Sequence, residues 1–175
     1  MFFLETYFQQ VMKYDSINAF KFDNLNQIPK LKTIILNFGY QKSNFKRLIS
    51  GLLALEFITS KKSKLTRSKH LHILLKIKQG NPVGCKIVLK KKTMHRFYLK
   101  LITSVFPKLK TPQNTQFQQN CKAISIVIQN PLLFMELESH YEFFKDIPNL
   151  DITLLTSSKS KNELFFLLKS IKIYL

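Results

Sequence analysis

The chain has 175 residues, of which 45% are hydrophobic and 13% aromatic, which suits one globular domain with a buried core and excludes a wholly disordered chain. Its 28 Lys and Arg side chains outnumber its 10 Asp and Glu side chains, so the formal net charge is +18. A folded domain with this excess of positive charge repels itself, and the expected partner is therefore a polyanion, with nucleic acid ahead of an anionic membrane surface.

The first third of the chain predicts a helix, a strand and a second helix. The opening helix is expected over Phe2–Tyr14. The strand is expected over Lys30–Phe38, where apolar residues alternate with others and place Asn37 off the apolar face. The second helix is expected over Ser43–Ile58, because apolar residues recur there at three- and four-residue steps. Those residues are Phe45, Leu48, Ile49, Leu52 and Leu53.

The middle of the chain predicts a hairpin followed by a helix. Leu71–Lys78 and Val83–Lys90 are candidates for extended strands around a turn at Gly80–Gly84, which is rich in Gly and Pro. A helix is expected over Lys92–Val105, and Pro107 should end it. The apolar residues in phase on this helix are Met94, Phe97, Leu101 and Val105.

The last third predicts two further strands and a capped helix. The strands are expected over Ala123–Ile128 and Leu150–Thr156. Ser160 and Glu163 have the spacing of a capping box, which begins a helix by satisfying free amides of its first turn. The buried stripe of that helix would be Leu164, Leu167, Leu168 and Ile171. Together the elements predict an α+β fold, a mainly antiparallel sheet with helices packed on one face, and a single domain over residues 1–175.

Positive charge is concentrated in the middle of the chain. No Asp or Glu occurs from Phe57 to Met135, a stretch that contains sixteen Lys or Arg residues, and the acids return as a cluster over 136–146. An exposed face of ordinary character mixes both signs, so this stretch predicts a surface that faces phosphates; a merely solubilising charged loop is the alternative. Ammonium, guanidinium and hydroxyl groups all bind phosphate oxygens. The candidate RNA-binding residues are Lys61, Lys62, Lys64, Thr66, Arg67, Lys69, Lys76, Lys78, Lys86, Lys90, Lys91 and Lys92.

Nothing in the sequence indicates catalysis, a cofactor or a metal site. Cys85 and Cys121 are too few and too far apart for a disulfide framework or a zinc knuckle, and we expect both to be structural. His70 and His72 stand among cations that would repel a metal ion. A glycine-rich phosphate loop and a paired acid and base are absent from the sequence, and no apolar run approaches the ~18–20 residues of a membrane span.

Four segments carry a resemblance to a known family. The most specific is 76–87, which reads Lys-Ile-Lys-Gln-Gly-Asn-Pro-Val-Gly-Cys-Lys-Ile and is similar to the signature Arg-Gln-Gly-x-Pro-Ile-Gly-Cys-Lys-Val. Residues 27–39 end in Asn-Phe-Gly where that family has Asn-Met-Gly, and 97–109 resemble its helix that runs into Val-Pro-Arg-Ile. Residues 150–156, followed by the capped helix, match its closing strand and helix. The family is that of the large-subunit ribosomal protein "L-five", which carries 5S ribosomal RNA.

The resemblance implies a structural protein of the ribosome, in the central protuberance of the large subunit. Its partners there would be 5S rRNA, large-subunit rRNA, other ribosomal proteins, the transfer RNA in the peptidyl site and a protein of the small-subunit head. Asn37 and Gly39 match the strand end at the 5S RNA surface, and Thr66 matches a Thr near the same RNA. Lys69–Leu75 matches the loop that approaches transfer RNA, and Asn130–Pro148 falls where the small-subunit contact is expected.

The chain also departs from the family pattern. Residues 120–126 read Asn-Cys-Lys-Ala-Ile-Ser-Ile in place of a segment rich in Gly, and Val88 stands where the family tends to have Thr. Leu71–Leu75 replaces a more polar tip that contains Gly. This drift, with a composition rich in residues of A/T-rich codons, favours a gene of the organelle and a ribosome of the mitochondrial matrix; an AT-rich bacterial cytoplasm is the alternative.

Two other functions fit the positive charge. A peripheral membrane-binding protein would use the basic segment on anionic lipid, but it would need a basic helix with a bulky apolar face, and the most basic stretch contains a Gly/Pro turn instead. A non-ribosomal RNA chaperone would bind RNA without sedimenting with intact ribosomes. We therefore expect no membrane partner and no enzymatic activity.

Overall fold

The computed structural model describes residues 6–40, 45–109, 115–117 and 122–170. Within these residues, strands and α-helices are mixed along the chain. The strands are β1 Leu31–Gly39, β2 Lys64–Arg67, β3 Pro82–Lys90, β4 Thr115–Phe117, β5 Ala123–Ile128 and β6 Leu150–Thr156. The α-helices are α1 Lys13–Ala19, α2 Phe45–Thr59, α3 Lys91–Lys100, α4 Met135–Glu138, α5 Tyr141–Phe144 and α6 Lys161–Ser170.

The strands form one sheet in the order β2-β3-β1-β6-β5-β4. β2 pairs with β3 and β4 with β5, both antiparallel. The long strands bury alternate side chains, the pattern expected when one face of a sheet is covered and the other is partly open. The predicted α+β class with an antiparallel sheet is confirmed.

The residues cluster into two compact units that interleave along the chain. The first contains Met1–Ile34, Leu89–Ile126 and Thr153–Leu175, and the second contains Ile35–Val88 and Val127–Ile152. The first unit thus holds α1, α3 and α6, and the second holds α2, β2, β3 as far as Val88, α4 and α5. The expectation of a single domain over the whole chain stays a prediction.

In the first unit the predicted elements are largely confirmed. The opening helix starts with a π-helical turn at Phe8–Met12 and continues through α1, so it ends at Ala19 and not at the predicted Tyr14. In the added turn Ser16 is buried and its hydroxyl donates to the Lys13 carbonyl, 2.8 Å away. Residues 2–5 of the prediction lie outside the described residues.

The helix that follows β3 has the predicted apolar face. α3 leads into a π-helical turn at Leu101–Val105 and a 3-10 turn at Phe106–Lys108 that contains Pro107. All four residues predicted to lie in phase are buried, because their spacing keeps them on one side of both helical segments. They are Met94, Phe97, Leu101 and Val105.

The capping box of α6 is present. The Ser160 hydroxyl accepts from the Glu163 amide at 3.3 Å, and the Glu163 carboxylate accepts from the Lys159 amide at 2.8 Å. The Ser160 hydroxyl thus satisfies an amide that the first turn of the helix leaves free, and the Glu163 carboxylate reaches back to the amide that precedes Ser160. Leu164, Leu167 and Leu168 are buried as predicted, whereas Ile171 lies outside the described residues.

In the second unit, α2 confirms the predicted helix but turns a different face inward. Its buried residues are Leu48, Gly51, Ala54, Leu55 and Ile58. Three of the five residues that predicted the helix are exposed instead. Both faces of this helix are apolar, and periodicity alone cannot decide which of two apolar faces packs inward. The exposed three are Phe45, Ile49 and Leu53.

The predicted strand over Leu71–Lys78 is wrong. Only one isolated pairing, between His72 and Ile77, occurs there, and the partner of β3 is β2, four residues of the basic segment. β2 is paired with β3 from Lys64 opposite Lys86 to Arg67 opposite Pro82, and all side chains of 71–76 are exposed. The run of apolar residues that predicted a strand is therefore a loop.

Candidate nucleic-acid interface

Two lysines face each other across the β2–β3 hairpin. Lys64 of β2 lies directly opposite Lys86 of β3. Cys85 and Ile87 of β3 are fully or almost fully buried, so Lys86 between them must point to the other face of the sheet. Like charges at opposing positions destabilise a hairpin by a few tenths of a kcal/mol to ~1 kcal/mol. An anion bound between the two lysines would neutralise their charges and so stabilise the hairpin.

A threonine and a glycine form the next pair on this face. Thr66 lies opposite Gly84, two residues from the lysine pair on each strand. A Cβ atom at Gly84 would lie 2.6 Å from the Thr66 hydroxyl oxygen and 2.7 Å from the carbonyl oxygen of Phe38. No real side chain fits in that space, so glycine is required for β3 to lie this close to its neighbours. The Thr66 hydroxyl lies next to the backbone of Gly84, which has no side chain to cover it.

The end of β1 completes the surface. Asn37 lies between the buried Leu36 and Phe38, so its amide points to the opposite, half-exposed face. β1 is the neighbour of β3 in the sheet, and the Tyr40 amide donates to the Val83 carbonyl at 3.0 Å. Gly39 is exposed with open space around it. We call the surface formed by Asn37, Gly39, Lys64, Thr66 and Lys86 the outer sheet face.

The turn that leads into β2 is held by hydrogen bonds that the sequence did not predict. The Glu56 carboxylate accepts from the amide of Ser63 at 3.0 Å and from its hydroxyl at 3.2 Å. The Lys61 ammonium donates to the carbonyl of Val88 at 2.8 Å, so this predicted phosphate ligand also ties the turn to β3. Lys62 is exposed. No sequence motif indicates that a Glu side chain will accept hydrogen bonds from a residue seven positions later, so this contact could not be predicted.

The remaining predicted RNA-binding cations of the second unit lie in the loop between β2 and β3 or at the end of β2 beside it. Two backbone hydrogen bonds join the two ends of this loop. The Ser68 amide donates to the Asn81 carbonyl at 2.8 Å, and the Gly80 amide donates to the Ser68 carbonyl at 3.0 Å. Within the loop, a small turn is closed by the pairing of His72 with Ile77. The exposed cations of this loop and of the β2 end beside it are Arg67, Lys69, Lys76 and Lys78.

Three predicted RNA-binding residues belong to the first unit. Lys90 is the last residue of β3, and Lys91 and Lys92 begin α3. All three are exposed, and the backbone of Lys91 adopts a positive φ of 50° where the strand turns into the helix. The lysines therefore form a compact basic corner of that unit. The helix they begin has no acid in its first turn.

The described part of the chain holds no cluster of potential metal ligands. No group of three or more His, Cys, Asp or Glu side chains that could hold a metal ion occurs there. Burial raises the pKa of the Cys85 thiol to about 11, and the thiol donates to the Leu48 carbonyl at 3.4 Å, as a structural cysteine would. Burial, more than the nearby Cys85, holds the pKa of Tyr40 well above its usual value. Cys121 lies outside the described residues.

The same part of the chain contains no helix long and apolar enough to cross a membrane.

The acidic cluster lies on α4, on α5 and in the turn after α5, and both helices pack against α2. The Asn130 side chain accepts from the Leu132 amide at 3.1 Å and begins the turn that leads into α4. The Phe57 ring of α2 lies 5.7 Å from the His140 ring and 5.8 Å from the Phe144 ring, measured between centroids. The acids of this segment are Glu136, Glu138, Glu142 and Asp146.

Comparison with known proteins identifies the family. The model of the C-terminal part of the ribosomal L-five protein family matches residues 82–175. The large ribosomal subunit protein uL5m of Reclinomonas americana is 32% identical over 97% of this chain and 96% of its own length. The corresponding uL5 of Blochmanniella floridana is 27% identical (97% and 90% covered), and the uL5c of Pleurastrum terricola is 31% identical (95% and 90% covered). The chain is thus a member of the uL5 family, structural proteins of the large ribosomal subunit that are not enzymes and whose partners are rRNA and other ribosomal proteins.

Proposed function

We propose that this protein binds 5S rRNA through the outer sheet face and anchors it in the central protuberance. The observation that carries the proposal is the opposed pair Lys64 and Lys86, two like charges placed side by side on an open face of the sheet. The pair costs the free protein stability, and a phosphate between the two ammonium groups would remove that cost.

The neighbours of the lysine pair supply the polar groups for contacts of defined geometry. The Thr66 hydroxyl and the Asn37 amide lie on the same face, and both donate and accept hydrogen bonds. A rigid sheet that presents such groups suits folded RNA, where proteins read shape, ribose hydroxyls and phosphates. Phe97 and Tyr98 are buried, so neither ring is available to stack on a base.

The loop between β2 and β3 would approach the transfer RNA in the peptidyl site. Its cations, among them Lys69, Lys76 and Lys78, are exposed and can meet phosphates. The tip differs in character, because Ile73 is 79% exposed and Leu74 is 89% exposed. Aliphatic tips cannot hydrogen-bond, so the affinity of this contact would come from the flanking cations.

The segment Asn130–Pro148 would contact a protein of the small-subunit head. It carries the acidic cluster of an otherwise strongly basic chain, and carboxylates favour a basic protein surface over RNA. The ribosome concerned would be mitochondrial and the gene carried by the organelle; the likeness to uL5m of Reclinomonas americana supports this assignment, although uL5 relatives from bacteria also match.

The test compares two substitutions on the purified full-length chain. Asn37→Ala removes an amide that can make hydrogen bonds of defined geometry to 5S rRNA. It should therefore weaken binding to a 5S rRNA transcript and leave binding to a transfer RNA unchanged. Lys62→Ala removes an exposed charge, so it should weaken both and lower the slope of log affinity against log salt by about one. Equal effects of both changes on both RNAs would contradict the proposal, because the outer sheet face would then contribute charge alone.

A second candidate function has one observation in its favour. The aliphatic tip of the β2–β3 loop, beside Lys69 and Lys76, has the composition of a loop that inserts into an anionic bilayer. Sedimentation with vesicles that contain phosphatidylserine, compared with neutral vesicles, discriminates the two. Tight binding to anionic vesicles together with no preference for 5S rRNA would favour a membrane-binding function.

A further inference from the structure

The first unit contains a cavity of about 580 Å³ that is lined by two rings. The rings are Phe8, in the π-helical turn, and His95, on α3; their centroids are 5.5 Å apart and their planes meet at 56°. Buried apolar side chains of Met12, Ile28 and Leu31 also belong to its lining. Pockets that bind small planar ligands have this range of volume and this mixture of apolar and aromatic walls.

The cavity opens to solvent, and cations lie around it. Asn26 and Lys30 belong to its lining and are exposed, so a ligand can enter beside them. Lys13, which is half-buried, is a second cation of the lining, and the described residues that line the cavity include no acid. The Asn26 amide can both donate and accept hydrogen bonds. The cavity therefore suits a ligand that combines a flat ring, polar ring edges and negative charge.

An adjoining cleft extends the positive charge. This cleft has a volume of about 880 Å³ and shares Leu25 and Asn26 with the cavity. It is lined by the cations Lys32 and Lys159 and by one acid, Asp23. Lysines bind phosphates. A chain of phosphates could therefore continue from the cavity into the cleft, which a single small anion would not need.

Backbone hydrogen bonds hold the walls of both spaces in place. The Lys30 amide donates to the Ser157 hydroxyl at 2.8 Å, and the Ser157 amide donates to the Lys30 carbonyl at 2.9 Å. In the turn before Lys30, the Gln27 amide donates to the Asn24 carbonyl at 3.0 Å. A cavity that is already formed binds its ligand without the cost of ordering its walls.

We infer that this cavity binds one unpaired nucleotide of ribosomal RNA. We call it the base pocket, lined by Phe8, Met12, Lys13, Asn26, Lys30 and His95. The base stacks on a ring of the pocket, as unpaired bases of RNA do on aromatic side chains, and the flanking phosphates lie toward the lysines. An apolar protein side chain could also fill the pocket, but it would leave the lysines and the amide without partners. The inference goes beyond the outer sheet face and rests on the family only in taking the RNA to be ribosomal.

The experiment separates the base from the phosphates. The probe is a seven-nucleotide RNA in which only the fourth residue carries a base, adenine, and the other six are abasic. The control is the same chain with all seven residues abasic, so both have the same charge and a merely electrostatic contact binds them equally. Fluorescence anisotropy with the purified full-length chain should show that the single-base RNA binds about ten-fold more tightly.

The variants locate the base. Phe8→Leu removes a ring of the pocket but keeps an apolar side chain, so the preference for the single-base RNA should fall to about two-fold or less. Lys30→Gln removes a charge and should weaken both RNAs alike. The matched control is Phe166→Leu: this half-buried ring of the same unit packs edge-on against Phe20 and lines neither cavity nor cleft. It should leave the preference unchanged.

Several outcomes would overturn the inference. Equal binding of the two RNAs to the native chain would show that the pocket takes no base. A preference that persists in Phe8→Leu, or that Phe166→Leu removes as well, would show that the base does not lie on the Phe8 ring. The pocket would belong to a protein partner if a glycine- and serine-rich peptide with one phenylalanine displaced the probe and its alanine counterpart did not.

Binding to 5S rRNA is measured in parallel. Asn37→Ala lies outside the base pocket, so it should keep the preference for the single-base RNA. Failure of the native chain to prefer 5S rRNA over transfer RNA would contradict the proposed function alone, because the single-base comparison does not depend on it.

Discussion

At the scale of single residues, the two glycines near the outer sheet face serve different purposes. Gly84 is enclosed by the Thr66 hydroxyl and the Phe38 carbonyl, whereas Gly39 has nothing within 4 Å of a Cβ position. The first glycine is thus a packing requirement. The second leaves open a place where RNA can approach the backbone closely.

The glycine pair gives a prediction with a built-in control. Gly84→Ala should lower the free energy of unfolding by about 1–3 kcal/mol, because the added methyl meets backbone and a fixed hydroxyl. Gly39→Ala should change it by less than about 0.5 kcal/mol but weaken binding to 5S rRNA. Urea denaturation and RNA binding measure the two effects, and equal loss of stability in both variants would refute the distinction.

The buried thiol gives a second prediction at this scale. Burial raises the pKa of Cys85 to about 11, so at pH 8 its reactive thiolate is scarce and shielded. In a Cys121→Ser background, iodoacetamide should modify the folded chain on the order of a hundred-fold more slowly than the chain in 8 M urea. The folded rate should rise as the pH approaches 11. Rapid modification of the folded protein at pH 8 would show that Cys85 is accessible.

At the scale of elements, the β2–β3 hairpin combines a structural cost with a binding role. Lys64→Gln relieves the repulsion with Lys86, so it should stabilise the free protein by about 0.2–1 kcal/mol at low salt. The same change should weaken RNA binding, because one phosphate contact is lost. Lys145→Gln, a change of equal charge beside the acidic segment, serves as the control and should not weaken RNA binding. A Lys64→Gln protein that is less stable in low salt would contradict this view of the hairpin.

The elements that were predicted correctly are those whose pattern of apolar and capping residues fits only one structure. β5 and β6 have the predicted bounds, and the capping box of α6 forms as expected, because local hydrogen bonds and strict alternation determine them. The buried face of α2 was not predictable, since both of its faces are apolar and only packing chooses between them. The partner of β3 was missed for a related reason: Lys64–Arg67 is charged and short, and its pairing is visible only in three dimensions.

The candidate interface shows the same division. The positive charge and the position of Asn37 follow directly from composition and alternation. The opposition of Lys64 and Lys86 depends on the register of the hairpin, which a sequence without a short defined turn does not determine. The second hydrogen-bonding role of Lys61, toward Val88, likewise required the folded chain.

At the scale of the whole molecule, the separation of charge along the chain assigns different partners to different surfaces. Sixteen cations and no acid lie between Phe57 and Met135, and the acids that follow lie on α4, α5 and the turn after α5. The basic stretch therefore faces RNA in this account, and the acidic segment faces protein. A large net charge of +18 destabilises the free chain, so assembly with RNA should also stabilise its fold.

The most direct test of the central claim is the binding of the purified protein to a 5S rRNA transcript, compared with its binding to a transfer RNA, at 50 and 200 mM salt. If about six cations meet phosphates, both affinities fall by roughly a thousand-fold between these salt concentrations. The account predicts that the preference for 5S rRNA survives at 200 mM, because contacts such as that of Asn37 do not depend on counterions. Equal binding to both RNAs that collapses together at the higher salt would contradict it.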